Sequence, residues 1–311
     1  MTTIKRDTAA QIAADRRAAQ IATLPMEAAG PTQGFLRGTF QSVRDIWAYR
    51  ELLNLLFRRE LKARYKDSAL GFVWSLVRPL AQLAVYAIAI GQFLGANKNG
   101  PDYPIYVFAG LTIWQLFSEM VSSGTGSILA NGGLVKKIYL PREVFPLSTL
   151  ASALFNSAMQ ICVLVAGTFI MGAPPNPALL GYAVLAMAIV IVYGTALALL
   201  LGAVNVYLRD VQYLVEIFLM WGMWTAPIVY YWSFVTPHLH SAWAERLYLA
   251  NPITQAVFGF QRAFWVGGTD PKYTITHLAT HMSVCLLFGL AFLWVCQRVF
   301  ARLEANFAQE L

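Results

Sequence analysis

A chain of 311 residues with 58% hydrophobic and 13% charged side chains and a mean hydropathy of +0.53 carries about half the ~25% charge of soluble domains. That excludes a soluble globular protein, which has too little interior to hide so much apolar surface. The net charge of +7 does not mark a nucleic-acid partner, because the basic residues flank apolar runs instead of covering a soluble domain.

Residues 1–43 are rich in Ala, Arg and Thr, contain Pro25, Gly30, Pro31 and Gly34, and lack an apolar core. They read as a mobile cytoplasmic tail without a secretory signal. From 44 to 67 the pattern changes. Ile46, Tyr49, Leu53, Leu56, Phe57, Leu61 and Tyr65 share one helical face, and Arg44, Glu51, Arg58, Arg59, Lys62 and Lys66 the other, with Glu60 and Arg64 interrupting the stripe. This predicts an amphipathic interfacial helix over 44–70, or else a helix packed on a partner. Residues 71–311 form the membrane domain.

A membrane-crossing helix needs about 20 apolar residues. Charge-free runs at 79–97, 103–118, 144–208, 217–244 and 273–297 supply them, and Pro174, Pro175, Asn176 and Pro177 divide the longest in two. The expected fold is therefore all-α, with six spans near 73–96, 104–127, 144–172, 178–204, 212–234 and 274–298. The external 236–273 segment carries Trp243, Leu247, Tyr248, Phe258, Phe260, Phe264 and Trp265, too apolar for a solvated loop. It predicts short re-entrant helices before the last span. With the N-terminus inside, Lys98, Arg246, Arg262 and Lys272 fall outside, and the remainder of the 23 Lys and Arg fall on the cytoplasmic side, the asymmetry that orients inner-membrane proteins.

Several chemistries are missing. No Gly-Lys pair occurs, so no P-loop cradles phosphates. No carboxylate lies deep in spans 1, 3, 4 or 6. Glu119 in span 2 is the one intramembrane candidate, and Glu216 sits near the start of span 5. His277 and His281 are spaced i, i+4 but have no third ligand nearby, so no metal is expected. Cys162, Cys285 and Cys296 lie in apolar runs and read as small apolar residues.

Three features suggest function. In the 128–142 loop, Leu134, Val135, Ile138 and Leu140 alternate with Lys136, Lys137 and Arg142. A short amphipathic helix there would seat on a partner; the alternative is a plain positive-inside anchor. Trp114, Phe117, Trp221 and Trp224 offer faces that either stack on sugar rings or serve as an interfacial belt, and Tyr230, Tyr231 and Trp232 suit the belt. Arg262, in an otherwise apolar stretch, needs either Glu245 or Asp270 as a partner, or a place on a substrate path. Gly91 with Gly95, and Gly124 with Gly126, permit close helix packing.

Four segments, in order, carry a family resemblance over about 45–300. The first is the basic helix followed by Tyr65-Lys66, Ser68, Leu70-Gly71, Trp74 and Pro79-Leu80. The second is Asn131 with Leu134-Val135-Lys136-Lys137 and Leu140-Pro141-Arg142. The third is Asn205-Val206-Tyr207-Leu208-Arg209-Asp210-Val211. The fourth is Pro227-Ile228 with Asn251-Pro252-Ile253-Thr254 and Arg262. Together they resemble the permease subunit of ABC-2 type exporters of polysaccharides and teichoic acids, the Wzm-like family. Arg78 departs from the uncharged residue usual before Pro79, and 1–43 lie outside the resemblance.

The resemblance implies a half-transporter that is not itself an enzyme and holds no cofactor. Two copies would pair as a homodimer, and two separate ABC ATPase subunits would bring ATP and Mg. It implies an inner-membrane protein with both termini cytoplasmic, moving a lipid-linked polysaccharide of the O-antigen or cell-wall galactan type. Leu134, Val135, Lys136, Lys137, Leu140 and Arg142, with Arg58 and Arg59, would couple to the ATPase. Trp114, Phe117, Trp221, Trp224 and Arg262 would line the substrate path, and Asn251, Pro252 and Phe258 an external gate. The rival readings are an exporter of small lipophilic molecules, a membrane glycosyltransferase, which the lack of a deep carboxylate pair disfavours, and a passive channel.

Overall fold

Proline and asparagine set the ends of the helices that the apolar runs form. The computed structural model describes residues 35–65, 73–93, 95, 102–137, 140–238 and 241–311, all within the unit Gln33–Leu311. Most of the sequence read as a tail (1–34), the approach to the first span (Lys66, Ser68, Leu70 and Gly71), Lys98 and Ile138 lie outside the described residues.

The described residues are helical, without strands. In chain order the helices are α1 (Phe35–Ala48), α2 (Arg50–Tyr65), α3 (Trp74–Tyr86), α4 (Tyr103–Ala130), α5 (Gly132–Val135), α6 (Val144–Ile170), α7 (Leu180–Tyr207), α8 (Val211–Gly222), α9 (Trp232–Val235), α10 (Ala242–Ala250), α11 (Pro252–Phe264), α12 (Leu278–Leu303) and α13 (Phe307–Glu310). Four segments are long and apolar enough to cross a membrane: Tyr103–Ala130, Val144–Ile170, Pro177–Tyr207 and Leu278–Asn306. They match the second, third, fourth and sixth predicted spans.

The first and fifth predicted spans come out differently. α3 has 13 residues and continues as a seven-residue π-helical stretch, Ala87–Phe93. Among the described residues its apolar part is Pro79–Phe93, with Arg78 at its start. The fifth is not one helix. α8 ends at Gly222, a single 3₁₀ turn covers Met223–Thr225, and Ala226 is extended (φ −120°, ψ 150°). Proline restricts the residue before it to extended conformations and has no N–H to give a helix, so Ala226-Pro227 stops the run. Twelve helical residues reach only about 18 Å.

Backbone that leaves a helix inside an apolar bundle needs other partners for its carbonyls. α4 and α11 supply them. The Tyr106 hydroxyl lies 2.7 Å from the carbonyls of both Pro227 and Tyr230, Tyr103 donates to Val229 O at 2.7 Å, and Gln261 Nε2 donates to Pro227 O at 2.9 Å. Tyr106→Phe is expected to lower stability by about 1–2 kcal/mol, the cost of buried carbonyls losing a donor, with Gln261 still serving Pro227. The Tm of the purified protein measures it, and an unchanged Tm would show that the break is held elsewhere.

The segment read as a tail becomes helical from Phe35. α1 and α2 meet at Tyr49, where i→i−4 bonds continue on both sides (Tyr49 N to Asp45 O and Leu53 N to Tyr49 O, each 3.0 Å). Hydroxyls tie α1 to α12: Trp294 Nε1 donates to Thr39 Oγ1 at 3.1 Å and Gln297 Nε2 to Ser42 Oγ at 2.9 Å. α4 is the central helix, buried along most of its length against α6, α7 and α11.

Candidate functional site

Two ends of the bundle differ in character. One is basic and holds the α4–α6 loop, the α7–α8 turn and the end of α12. The other is aromatic and holds residues 226–238 and 241–277.

At the basic end, α5 is a single turn, too short to present separate polar and apolar faces to a partner. Its apolar neighbours are captured by this chain. Val135 and Leu140, 5% and 6% exposed, enter a cluster with Leu56, Ile128, Val144, Phe145, Phe300 and Phe307, and Leu134 packs at its edge. Lys136 and Lys137 project into solvent. The Arg142 guanidinium stands 5.5 Å from the Phe307 ring. Lys136 and Arg209 share a cleft of about 400 Å³ with Gly132 and Gly133. Over its described residues the expected amphipathic docking helix is instead a clamped loop from which Lys136 and Lys137 point outward.

α2 reaches into the bundle through the residues that interrupted its stripe. Arg59 donates to Asn131 Oδ1, and Asn131 Nδ2 donates to Ser127 O at 2.8 Å, so the start of the loop is held from both sides. Glu60 accepts from Ser148 at 2.8 Å and Ser152 at 3.0 Å on α6. Arg64 pairs with Glu119 on α4, whose carboxylate also accepts from Asn156 Nδ2 at 2.7 Å. Glu119 lies about 16 Å along α4 from Ala130. A carboxylate at that depth requires a partner, and Arg64 provides it. Arg58 stays exposed and bonds Asn54 on its own helix.

Other contacts brace this end. Buried Asn205 donates to Thr125 O at 3.0 Å, and Tyr207 to Leu303 O at 2.8 Å. Arg209 and Asp210 are exposed, and among the described residues neither forms an ion pair. Glu143, 3% exposed, accepts from Gln297 at 3.5 Å. Burial pushes its carboxyl above the usual carboxylate range, against the hydrogen bonds it receives and the nearby Arg298 charge.

At the aromatic end, Asn251 caps α11, accepting from Ile253 N at 3.0 Å and donating to Thr225 Oγ1 at 3.1 Å. Pro252 takes the first helical position, where its missing N–H costs nothing. Phe258 is buried edge-on against Trp232, ring centroids 5.7 Å apart. Tyr106, Tyr231, Trp265 and Tyr273 close this end as a ring cluster.

The four aromatics expected on one track are divided. Trp114 is buried, its ring 5.7 Å from that of Phe117 and pressed on Gly222. Trp221, in the last turn of α8, and Trp224, in the 3₁₀ turn after it, are exposed, as are Tyr213, Leu214 and Ile217 on α8. Arg262 meets neither Glu245 nor Asp270; its guanidinium lies over the Tyr182 ring, 4.7 Å from the centroid. Sequence reading missed Glu60, Arg64, Asn131, Ser148, Ser152 and Asn156 as a set. The signal was present in the two charges that spoiled the α2 stripe.

The described residues thus form a helical bundle with four membrane-length apolar helices, a clamped basic loop and an ion-paired interior acid. The model of the ABC-2 type transporter family matches residues 51–265. The chain belongs to the ABC-2 type transporter family and is a multi-pass membrane protein. It is 29% identical over 270 residues to the O-antigen export system permease protein RfbA of Myxococcus xanthus, covering 86% of this chain and 98% of that one. The protein of the same name from Klebsiella pneumoniae is 26% identical over 262 residues, covering 84% and 95%. The polysialic acid transport protein KpsM of Escherichia coli is 25% identical over 244 residues, covering 76% and 90%.

Proposed function

We propose that this chain is the membrane half of an ATP-driven exporter that carries a lipid-linked polysaccharide, of the O-antigen or cell-wall galactan type, from the cytoplasm across the inner membrane. The observation that carries the reading is the near full-length match to O-antigen export permeases, 98% of the Myxococcus protein. In this reading the basic end, with both termini, is cytoplasmic, in keeping with the positive-inside rule. α3 makes the first of six crossings, α8 with the non-helical 226–231 stretch makes the fifth, and α10–α11 are re-entrant. A second copy forms the other half of the pore, and the exposed apolar stripe of α8 suits that pairing or the path itself. Two ABC ATPase subunits hold the ATP and Mg.

The physical task of this chain is then to convert ATPase closure into helix movement. Lys136 and Lys137 meet the ATPase. The loop passes displacement to α4 and α6 because its apolar residues and Asn131 are fixed in the bundle. α2 moves with α4 and α6 through Glu60 and Arg64. Trp114, Phe117, Trp221, Trp224 and Arg262 belong to the glycan path, and Asn251, Pro252 and Phe258 to its external gate. A sugar ring stacks on an aromatic face without demanding one identity, which suits sliding of a long chain. Export of small lipophilic molecules is the second reading, favoured by the apolar exposure of α8.

Lys136→Glu with Lys137→Glu tests the coupling surface. Both side chains are exposed, so the bundle is expected to fold, and reversing two charges is expected to weaken ATPase association at least ~tenfold. Copurification of the ATPase is the readout, with loop accessibility checked in parallel because inside charge also orients the chain. Undiminished copurification and ATP hydrolysis would remove these lysines from the interface.

A further inference from the structure

Arg262 occupies the last turn of α11, in the otherwise apolar run from Phe258 to Trp265. Beside it is a cavity of about 190 Å³, walled on one side by Pro174 and Asn176 from the α6–α7 connection and on the other by Arg262, Trp265 and Thr269. The guanidinium rests on the Tyr182 face, and its Nε is buried with no acceptor. Asp270 is not its partner and instead accepts from Lys272 N at 2.8 Å. The helix C-terminus offers only about half a unit of negative charge, and the Gln261 carbonyl there is already taken by Trp265 N at 2.8 Å. A net positive charge therefore stands at the cavity wall.

The wall is built, not incidental. The 3₁₀ turn Val266–Thr269 folds back onto α11 so closely that a Cβ on Gly268 would lie 2.6 Å from Arg262 Cα, and one on Gly267 2.4 Å from the Trp265 ring. Only glycine permits this approach. Asn176 uses its carbonyl oxygen on Ala178 N at 3.0 Å, which leaves its NH2 to donate. Arg262, that NH2 and the Thr269 hydroxyl give a cation and hydrogen-bond donors with no carboxylate among the lining residues. Such a set selects an anion with several acceptor oxygens, and the planar guanidinium fork fits phosphate. At about 30 Å³ per water, the volume holds a phosphate diester with its near waters and excludes a long glycan segment.

We propose that this cavity is a binding site for a lipid phosphate, with Arg262 as its cation. The phosphate comes either from a membrane phospholipid headgroup or from the linkage between glycan and lipid carrier. The carrier source rests on the export reading above; the phosphate site itself does not.

The purified, delipidated full chain is titrated with phosphatidylglycerol, with a polyprenyl phosphate and with uncharged diacylglycerol, and adducts are counted by native mass spectrometry. Wild type is expected to bind a phosphate lipid, and Arg262→Gln to bind it at least ~tenfold more weakly, with diacylglycerol adducts unchanged. Arg262→Lys should recover part of the loss. Thr269 is exposed, so Thr269→Phe, which fills the cavity with Arg262 intact, should fold and lose binding equally. Loss confined to phosphatidylglycerol identifies the headgroup, and loss confined to the polyprenyl phosphate identifies the carrier. Absent wild-type binding of both, or wild-type affinity in both Arg262→Gln and Thr269→Phe, overturns the site. Phosphate binding without any polysaccharide export would leave this site standing and sink the export reading alone.

Discussion

Gly124→Leu is expected to abolish recovery of folded protein. A Cβ at Gly124 would lie 2.4 Å from Ala198 Cβ and 3.1 Å from Ala198 Cα, and a Cβ at Gly202 would lie 3.0 Å from the Gly124 carbonyl oxygen. The obstacles are main chain and a methyl stub, so no flexible side chain can yield, and α4 and α7 must separate. Overpacking a well-filled core costs about 1–3 kcal/mol for small additions; an isobutyl group between touching backbones costs more, out of a total stability of about 5–15 kcal/mol. α4 is the central helix, so its displacement would reach α6 and α11 as well. Gly126→Ala is the control: its Cβ would meet only the far end of Gln212, at 3.4 Å, and should cost less than ~0.5 kcal/mol. Monodisperse yield in detergent is the readout. Comparable yields from Gly124→Leu and Gly126→Ala would show that the α4–α7 spacing is not set at Gly124.

Glu119→Ala is expected to cost about 2–3 kcal/mol and to slow export at least ~tenfold. The carboxylate takes hydrogen bonds from Arg64 and Asn156 at once. The loss leaves a guanidinium against the bundle and a buried amide short of one acceptor. Arg64 is 39% exposed against 14% for Glu119, so water partly compensates the arginine, and Arg64→Ala should cost less than Glu119→Ala. The two changes together should cost less than their sum, because each removes the same contact. Tm values for the three variants and wild type complete the cycle. Strict additivity, or unaltered export in a stable Glu119→Ala protein, would mean that the pair neither holds α2 nor passes on its movement.

Much of the bundle is legible in the chain because the membrane's demand for apolar length is simple. Apolar runs ending near Asn131, Pro174 and Leu208, the first interrupted by Glu119, give α4, α6 and α7 to within a few residues. The break at Ala226-Pro227 is not legible in the same way. Proline inside an apolar run is compatible with a kinked span, and here the run opens fully because Tyr103, Tyr106 and Gln261 bring donors from distant positions. Glu60 and Arg64 look like flaws in an amphipathic stripe, yet they are the residues that reach inward, to Ser148, Ser152 and Glu119. Helical spacing puts Trp221 and Trp224 on one face, but α8 ends at Gly222 between them and Trp224 falls in the 3₁₀ turn that follows. Nor does spacing reveal that Trp114 lies beneath Gly222 instead of beside them. The sequence offers Arg262 either Glu245 or Asp270 as a partner or a place on a substrate path, and does not reveal that its neighbour is the Tyr182 ring.

The central claim is that this chain, driven by a separate ATPase, moves polysaccharide across the membrane. Proteoliposomes containing the chain and its ATPase, oriented with the basic end outward, can be supplied with radiolabelled lipid-linked polysaccharide and ATP, and the label protected from an external glycosidase counted over time. The account predicts protection that requires ATP, requires both proteins and is lost with an ATPase that binds but cannot hydrolyse. ATP-dependent uptake of a small lipophilic dye with no protection of the glycan, or protection that proceeds equally without ATP, would contradict it.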